Sequence, residues 1–469
     1  MKSNRFLRNV ITLVSGTALS QLLLLVSAPL LTRLYSTGEF GQLSLFVSII
    51  GILSVSSSLR YNRAVPLPKL DENAKDIIVL GSMIIFFFSF LLFIIVNIID
   101  SFLMVSLDDY PFIQVIPIAV FFAGMFDLYN YWGVRTGAFT TLARSKLLQT
   151  TFIITIQILF FSFGTFALVT GHTLGYLFGL LTLLIGFRTS FLNYSFNFSN
   201  VKAVAKRYKD FPKYSTWEAL ANSIGNNSPV ILIGFLFGGS YAGLYALTYR
   251  VLSLPMNVIG AAIGQAYFSK VAKVYKSDNL GKVTLTLFTL LCNIGFPAAL
   301  LFFLISPELF DLVFGSDWKQ AGVYAQAIVP WLLLVFISSP LTSIISVAEK
   351  QKQALVFQVI FLTTKILALY MGSKFLDHSG AIILLSISSS LCLVAFIIWL
   401  LSLSRVSRTD VFIKSSKSII YALLCNLPMI AYCAYSNVNF SSVYYWMAFL
   451  LTFAFIIYSY ISAIRSLNV

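Results

Sequence analysis

Four charged side chains fall inside stretches otherwise apolar enough to span a membrane. Asp127 sits in FFAGMFDLYNYW, Glu218 near one end of a polar-faced stretch, Arg250 in GLYALTYRVLSLP, and Lys365 midway along an apolar run. A charge at the centre of a span costs roughly 2.5–3.5 kcal/mol on insertion scales and normally faces a bundle interior or water. Arg250 is the best placed. It lies about nine residues, or ~13 Å at 1.5 Å per residue, from the nearer end of its stretch, too deep to snorkel. A guanidinium there can grip a phosphate through two parallel hydrogen bonds. Pro255 follows five residues later and frees carbonyls near 250–251. Two roles are therefore open to Arg250. It satisfies those carbonyls or pairs with Asp127 or Glu218, or it lines a cavity as the cation for an anionic substrate, which is the preferred reading.

Arg60 and Arg63 end the second apolar stretch. They either snorkel to phospholipid phosphates or capture an anionic head group at a cavity mouth, and Lys365 is of the same kind. Asp127 is either a proton or cation site or the buried partner of an arginine. Glu218 reads as a helix-start residue, with coupling or charge pairing as its other role. Thr17, Ser20, Gln21 and Ser27 mark a helix face that avoids lipid. Asn222, Ser223, Asn226, Asn227 and Ser228 do the same just before Pro229. The asparagines either bond to neighbouring helices or present amides to sugar hydroxyls on a wet wall. No catalytic constellation is expected. The four cysteines lie in apolar runs without a CxxC pair and read as small buried hydrophobes. His172 and His378 are expected in short connections without acidic or cysteine company, so neither a metal site nor a cofactor is expected.

The elements that must position these groups are membrane helices. Of 469 residues, 58% are hydrophobic and 10% charged, against roughly 25% charged in soluble domains. Runs of about 20 apolar residues cross the hydrocarbon core as helices. Fourteen are expected, near 10–34, 40–60, 77–99, 113–134, 147–166, 168–192, 214–238, 241–266, 283–306, 320–347, 353–375, 380–403, 417–435 and 442–464. Pairs separated only by Gly and polar residues would lower the number to twelve or thirteen. With the N-terminus inside, 27 of the 32 basic residues fall in inside segments, three outside (Arg33, Lys319, Lys374) and two within spans. Lys and Arg of short loops stay cytoplasmic, so both termini are expected there, in a bacterial inner membrane. The first stretch is too long for a signal peptide and is read as a retained span.

The same count accounts for the formal net charge of +15, so no nucleic-acid partner is expected, whereas anionic membrane lipids are. The longest connections, near 61–76 and 193–213, are cytoplasmic, and the largest outside ones lie near 100–112 and 307–319. None could house a globular domain, which argues against an enzyme such as a membrane glycosyltransferase, polymerase or ligase. A scaffolding protein would not need midplane charges. A weak repeat aligns Tyr35–Leu45 with Phe237–Leu247 at an offset of 202, with Pro29 and Pro229 at nearly matching places. The fold expected is all-α and polytopic. Two parallel-related six-helix lobes, 1–200 and 201–404, face a central cavity, and two additional helices lie in 405–469.

LTRLYSTGEFGQ (31–42), LRYNRAVPLPK (59–69), FPKY (211–214), GLYALTYRVLSLP (243–255) and FGSDWKQAG (314–322), in this order and spacing, resemble the lipid-linked oligosaccharide and O-antigen flippases. That family belongs to the multidrug/oligosaccharidyl-lipid/polysaccharide exporter superfamily, and the resemblance covers nearly the whole chain. It implies two six-helix lobes around a cationic cavity and alternating access for a polyprenyl-pyrophosphate carrying a sugar repeat. Other polysaccharide-assembly proteins are implied as partners. Arg250, Arg60 and Arg63 match the kind of lumen arginines such proteins use. The lipid tail would stay in the bilayer through a gap between helices, which the two extra helices could border. Relatives often carry an acidic residue where Asn62 stands, so a charge pair with Arg60 or Arg63 would be missing here. The alternative within the superfamily is a cation-coupled exporter of small molecules, which would want acidic cavity residues.

Overall fold

Ser36 starts the second helix through a capping box: its hydroxyl accepts from the Glu39 amide, and Glu39 returns a carboxylate to the Ser36 amide. Asp377 and Asn197 begin two later helices with comparable side-chain caps. The computed structural model describes residues 2–102, 111–192, 194–255, 260–275, 277, 279–435 and 442–465. Their helices are α1 (Lys2–Leu34), α2 (Thr37–Ser57), α3 (Asp71–Phe102), α4 (Ile116–Thr136), α5 (Phe139–Leu159), α6 (Thr165–Phe191), α7 (Phe198–Arg207), α8 (Thr216–Phe237) and α9 (Gly239–Pro255). There follow α10 (Ala261–Val274), α11 (Asn279–Phe314), α12 (Lys319–Leu341), α13 (Ser343–Val347), α14 (Gln351–Phe375), α15 (His378–Leu403), α16 (Arg408–Cys425), α17 (Leu427–Tyr435) and α18 (Val443–Arg465).

The all-α, polytopic class is as expected. Ten of these helices are long and apolar enough to cross a membrane, or eleven if α16 and α17, bent by 57° at their junction, form one span. Fourteen is not reached on length and composition: α9 and α10 are short, and α5 carries Arg144, Lys146 and several polar residues. Four expectations are corrected. The break between the fifth and sixth spans lies at Phe160–Gly164, where Gly164 has φ 56°, rather than at 166–168. Lys146 therefore sits two turns inside α5 instead of in a loop, and His172 lies within α6 instead of in a connection. The apolar pattern misled because the polar half of α5 is a helix face. The outside loop expected near 307–319 is largely helix, since α11 runs through Pro307 to Phe314.

The chain divides into two compact units, Met1–Gly243 and Leu244–Val469. In lipid no hydrophobic effect drives helix against helix, so close van der Waals contact and interhelical hydrogen bonds must do so. In the first unit α6 presents Gly171, Gly175 and Gly179 to α5: a Cβ on Gly171 would lie 2.9 Å from Gln157 Cγ, and one on Gly179 3.1 Å from Gln149 Cβ. Small residues four apart bring these two backbones together. Tyr35 donates to the Gln157 carbonyl at 2.5 Å, and Gln157 Nε2 to that of Leu168 at 3.0 Å. Ile77, Ile85, Leu128, Trp132 and Leu183 form the packed centre among α3, α4 and α6.

Arg135, at the end of α4, clamps the connection after α2. Its Nε and Nη2 donate to Asp71 Oδ1 at 3.0 and 2.8 Å, and its Nη1 to the carbonyls of Val65 and Pro68 at 3.2 and 2.7 Å. The planar fork serves three partners that a lysine could not. Arg135 thereby holds the short turn Tyr61–Ala64 on which the site below depends.

In the second unit α12 packs between α11 and α15, and α16 lies against α11. Thr248 of α9 donates to the Ala321 carbonyl of α12 at 2.7 Å. Phe288, Leu291, Ile337, Leu341 and Leu400 fill the centre. At the bend between α16 and α17, the buried Asn426 amide donates to the carbonyls of Ala422 and Pro297, at 2.9 and 3.1 Å.

Candidate functional site

After Ser57 the helical ladder of α2 stops, and two successive residues without glycine's freedom take left-handed backbone: Leu59 at φ 46° and Arg60 at φ 61°. Such conformations cost energy and persist only where surrounding structure enforces them. Here the clamp by Arg135 and the turn Tyr61–Ala64 do so, and Tyr61 Oη donates to the Ala205 carbonyl at 3.1 Å. The reversal aims Arg60 into a cavity of about 700 Å³ inside the first unit, walled by α1, α2, α4, α5 and α6.

Arg60 is 7% exposed, and its buried Nε has no hydrogen-bond partner among the described residues. Burial, and then the neighbouring Arg63, pull its pKa down from the ordinary arginine value, while Tyr131, Asp127 and Glu218 oppose the shift. Asp127, from α4, lines the same cavity. Its carboxylate accepts from Asn62 Nδ2, and Asn62 Oδ1 accepts from the Arg63 amide at 2.9 Å. Asn62 is thus a buried strut between the turn and α4, its side chain bonded to the acid of α4 and to the Arg63 backbone amide rather than to an arginine side chain. Lys146, from α5, completes the charged set, its Nζ donating to Thr17 Oγ1 of α1 at 3.4 Å. Polar groups of α1 (Thr17, Ser20, Gln21), with Asn130, Gln149 and Tyr176, line the remainder. His172 lies at the same wall, edge-on to Tyr176 with ring centroids 5.3 Å apart.

The structure thus brings Arg60 and Asp127 together and adds Lys146, His172, Gln149 and Tyr176. Two lysine or arginine cations and one carboxylate around a polar-lined cavity can hold an anion by charge-assisted hydrogen bonds. Among the described residues no cluster of three or more His, Cys, Asp or Glu side chains could hold a metal ion. The face of α1 marked by Thr17, Ser20 and Gln21 was readable in the sequence. Lys146 was not, because it was assigned to a loop; its signal is the Arg144-Ser-Lys146 pair following a glycine helix stop at Gly137.

The remaining candidates stand elsewhere. Arg63 is exposed beside the turn. Glu218 is exposed in the first turn of α8, as its helix-start role requires. Ser223 and Asn227 face α2: Ser223 donates to the Gly51 carbonyl at 2.7 Å, and Asn227 Nδ2 to the Ser223 carbonyl at 2.9 Å. Asn222 and Asn226 lie with Glu218 on an exposed polar stripe of the same helix. The bond to a neighbouring helix is thus made by Ser223, the Asn227 amide bonds within its own helix, and Asn222 and Asn226 are exposed.

In the second unit Arg250 is half-buried and makes no side-chain hydrogen bond or ion pair among the described residues. Its own carbonyl accepts from Ser253 Oγ at 3.3 Å, so the guanidinium is not spent on that group. Lys365 is buried, its Nζ 4.1 Å from the Phe361 ring centroid and 5.0 Å from that of Trp331, a cation–π cage.

The sequence profile of the family described as Polysaccharide biosynthesis protein matches residues 30–323, more than half of the chain. The chain belongs to this family. It is 24% identical over 173 residues to the lipopolysaccharide biosynthesis protein WzxC of Escherichia coli K12, covering 36% of this chain. It is 27% identical over 117 residues, 24% of this chain, to the teichuronic acid biosynthesis protein TuaB of Bacillus subtilis 168. An uncharacterised membrane protein in the cps region of Klebsiella pneumoniae matches at 23% over 241 residues, 47% of this chain. The chain spans 35%, 24% and 49% of these relatives' own lengths.

Among solved structures this member of the polysaccharide biosynthesis family resembles the lipid II flippase MurJ in an inward closed conformation. The TM-score is 0.72 at 13% identity, over 98% of this chain and 100% of that one. An inward-facing multidrug resistance MATE transporter of the MOP superfamily follows at TM-score 0.57 and 14% identity, over 84% and 95%. At these identities the likeness is one of fold. It is the fold that the residue blocks of the sequence implied.

Proposed function

We propose that this chain moves polyprenyl-pyrophosphate-linked oligosaccharide repeat units from the cytoplasmic to the outer leaflet of a bacterial inner membrane, for O-antigen or capsule assembly. It does so by alternating access and without covalent chemistry, with both termini cytoplasmic. The observation that carries this reading is the cavity of the first unit. There, among the described residues, Arg60 offers an unsatisfied buried donor, and Lys146 holds one long contact, beside the carboxylate of Asp127. Two cations left underpaired in low dielectric are suited to a pyrophosphate. In the second unit Arg250 makes no side-chain hydrogen bond or ion pair among the described residues, and the exposed Glu218–Asn222–Asn226 stripe of the first offers polar groups suited to sugar hydroxyls. Family membership and the MurJ-like fold support the same reading. Lobes of residues 1–200 and 201–404 would rock about the substrate, with 405–469 bordering the path of the lipid tail.

The test is a strain lacking the flippase for a defined repeat unit, in which the lipid-linked repeat accumulates. Expression of this chain should restore surface polysaccharide. Purified protein in vesicles should expose a fluorescent lipid-linked oligosaccharide to a membrane-impermeant glycosidase faster than empty vesicles do. Vesicles that expel small organic cations and leave the lipid-linked sugar untouched would support the small-molecule exporter instead.

A further inference from the structure

The second unit carries an apolar groove of about 480 Å³ between α11, α12, α15 and α16. Phe288 and Phe296 of α11, Leu334 of α12, and Ile397 and Leu401 of α15 form its floor, and Val411 of α16 one wall. Val394, Ile398 and Phe412, which also line it, are 43%, 45% and 73% exposed, so the groove opens sideways on the surface that faces lipid. We propose that it binds one anionic phospholipid of the surrounding bilayer, an acyl chain in the groove and the phosphate on Arg408. This does not depend on the transport reading above.

Size, length and charge argue for that occupant. At about 480 Å³ the groove is of the size that takes one small apolar chain. A polyprenyl chain of many isoprene units would overfill it. From Val394 to Ser402 the lining runs eight residues along α15, about 12 Å at 1.5 Å per residue. That is close to the ~15 Å depth of one leaflet of a ~30 Å hydrocarbon core. The groove reaches Arg408 where the chain leaves α15 and enters α16. Arg408 is exposed and makes no hydrogen bond or ion pair among the described residues. Arg405, exposed at φ 59°, and Lys414, exposed one turn and a half on, share that end. The Ser407 side chain does not cap α16, which leaves first-turn amides beside Arg408 of the groove lining to favour an anion. Asp410 is an exposed acid in that first turn; among the described residues of the loop and first two turns of α16, Arg405, Arg408 and Lys414 outnumber it.

The protein would be placed in phosphatidylcholine nanodiscs containing a trace of phosphatidylglycerol with a mid-chain diazirine. After irradiation, adducts are mapped by peptide mass spectrometry. Adducts should concentrate on 288–296 and 394–402. Arg408→Gln, an exposed change, should lower them about fivefold, the worth of one interfacial cation. Ile398→Trp should fill the groove and remove them, with monodisperse elution confirming the fold. The proposal is overturned if a phosphatidylcholine probe labels the same peptides equally, if adducts scatter over the lipid-facing surface, or if Arg408→Gln changes nothing. It is also overturned if a polyprenyl phosphate displaces the phosphatidylglycerol at equal concentration.

Discussion

Gly41 and Gly243 meet backbone to backbone. A Cβ on Gly243 would lie 2.7 Å from the Gly41 nitrogen and 2.5 Å from the Thr37 carbonyl oxygen, and one on Gly41 would run into the Gly239 carbonyl. Each is the fifth residue of its helix, since α2 starts at Thr37 and α9 at Gly239. Backbone cannot yield as a flexible side chain can, so Gly243→Ala should cost about 1–3 kcal/mol as overpacking. Its Tm in detergent should fall by several degrees. Gly225→Ala, where a Cβ meets nothing within 4 Å, should leave Tm unchanged or higher.

The cavity cations should be needed together. Arg60→Ala and Lys146→Ala should each lower polysaccharide export by tenfold or more, taking about 1.5–3 kcal/mol for a charged hydrogen bond. The double variant should lose little beyond the worse single one, because both act on one bound anion. Complementation with membrane levels checked by immunoblot measures this. Full activity of Lys146→Ala at normal levels would remove the cavity from the mechanism.

Arg250 offers a sharper comparison. Arg250→Ala should stop export while the protein still inserts. Arg250→Lys should retain part of the activity, because charge survives and the planar fork does not. The same complementation assay reads both, and equal activity of alanine and arginine would leave the residue a bystander.

Orientation is testable at two exposed connections. An alkaline phosphatase domain inserted at Asp377, between α14 and α15, should be active outside. One inserted at Asn197, ahead of α7, should be silent. The reverse pattern would invert the positive-inside assignment.

Much of this was readable before any coordinates. The capping box in Ser36-Thr-Gly-Glu39, the offset of 202 that now separates two helix starts, and the polar face of α1 all follow from local rules. Asp127 and Arg60 were singled out because charge in an apolar run is costly. The turn that joins them was not legible: no local rule places a left-handed backbone at Leu59 and Arg60, which tertiary clamping by Arg135 imposes. Lys146 was hidden for the opposite reason. Hydropathy treats a polar helix face and a polar loop alike, and only packing tells them apart. The asparagines of α8 escaped a single reading because exposure differs between adjacent positions: Asn222 and Asn226 are exposed, while Asn227 is half-buried and bonds within the helix.

The polarity of α5 bears on how the chain is made. With Arg144 and Lys146 in its first half, α5 is a poor substrate for the translocon on its own, each cation costing up to roughly 2.5–3.5 kcal/mol as it nears the helix centre. Its glycine-mediated fit to α6 and the Lys146–Thr17 contact to α1 are native compensations available only once those helices are present. α5 should therefore enter the bilayer late, as a hairpin with α6 assembled onto an already inserted α1. A nascent chain truncated after Leu159 should give a mixed pattern in glycosylation mapping, and one extended through Phe191 a single one. Biogenesis of this protein would then hinge on how long the insertase retains one reluctant helix.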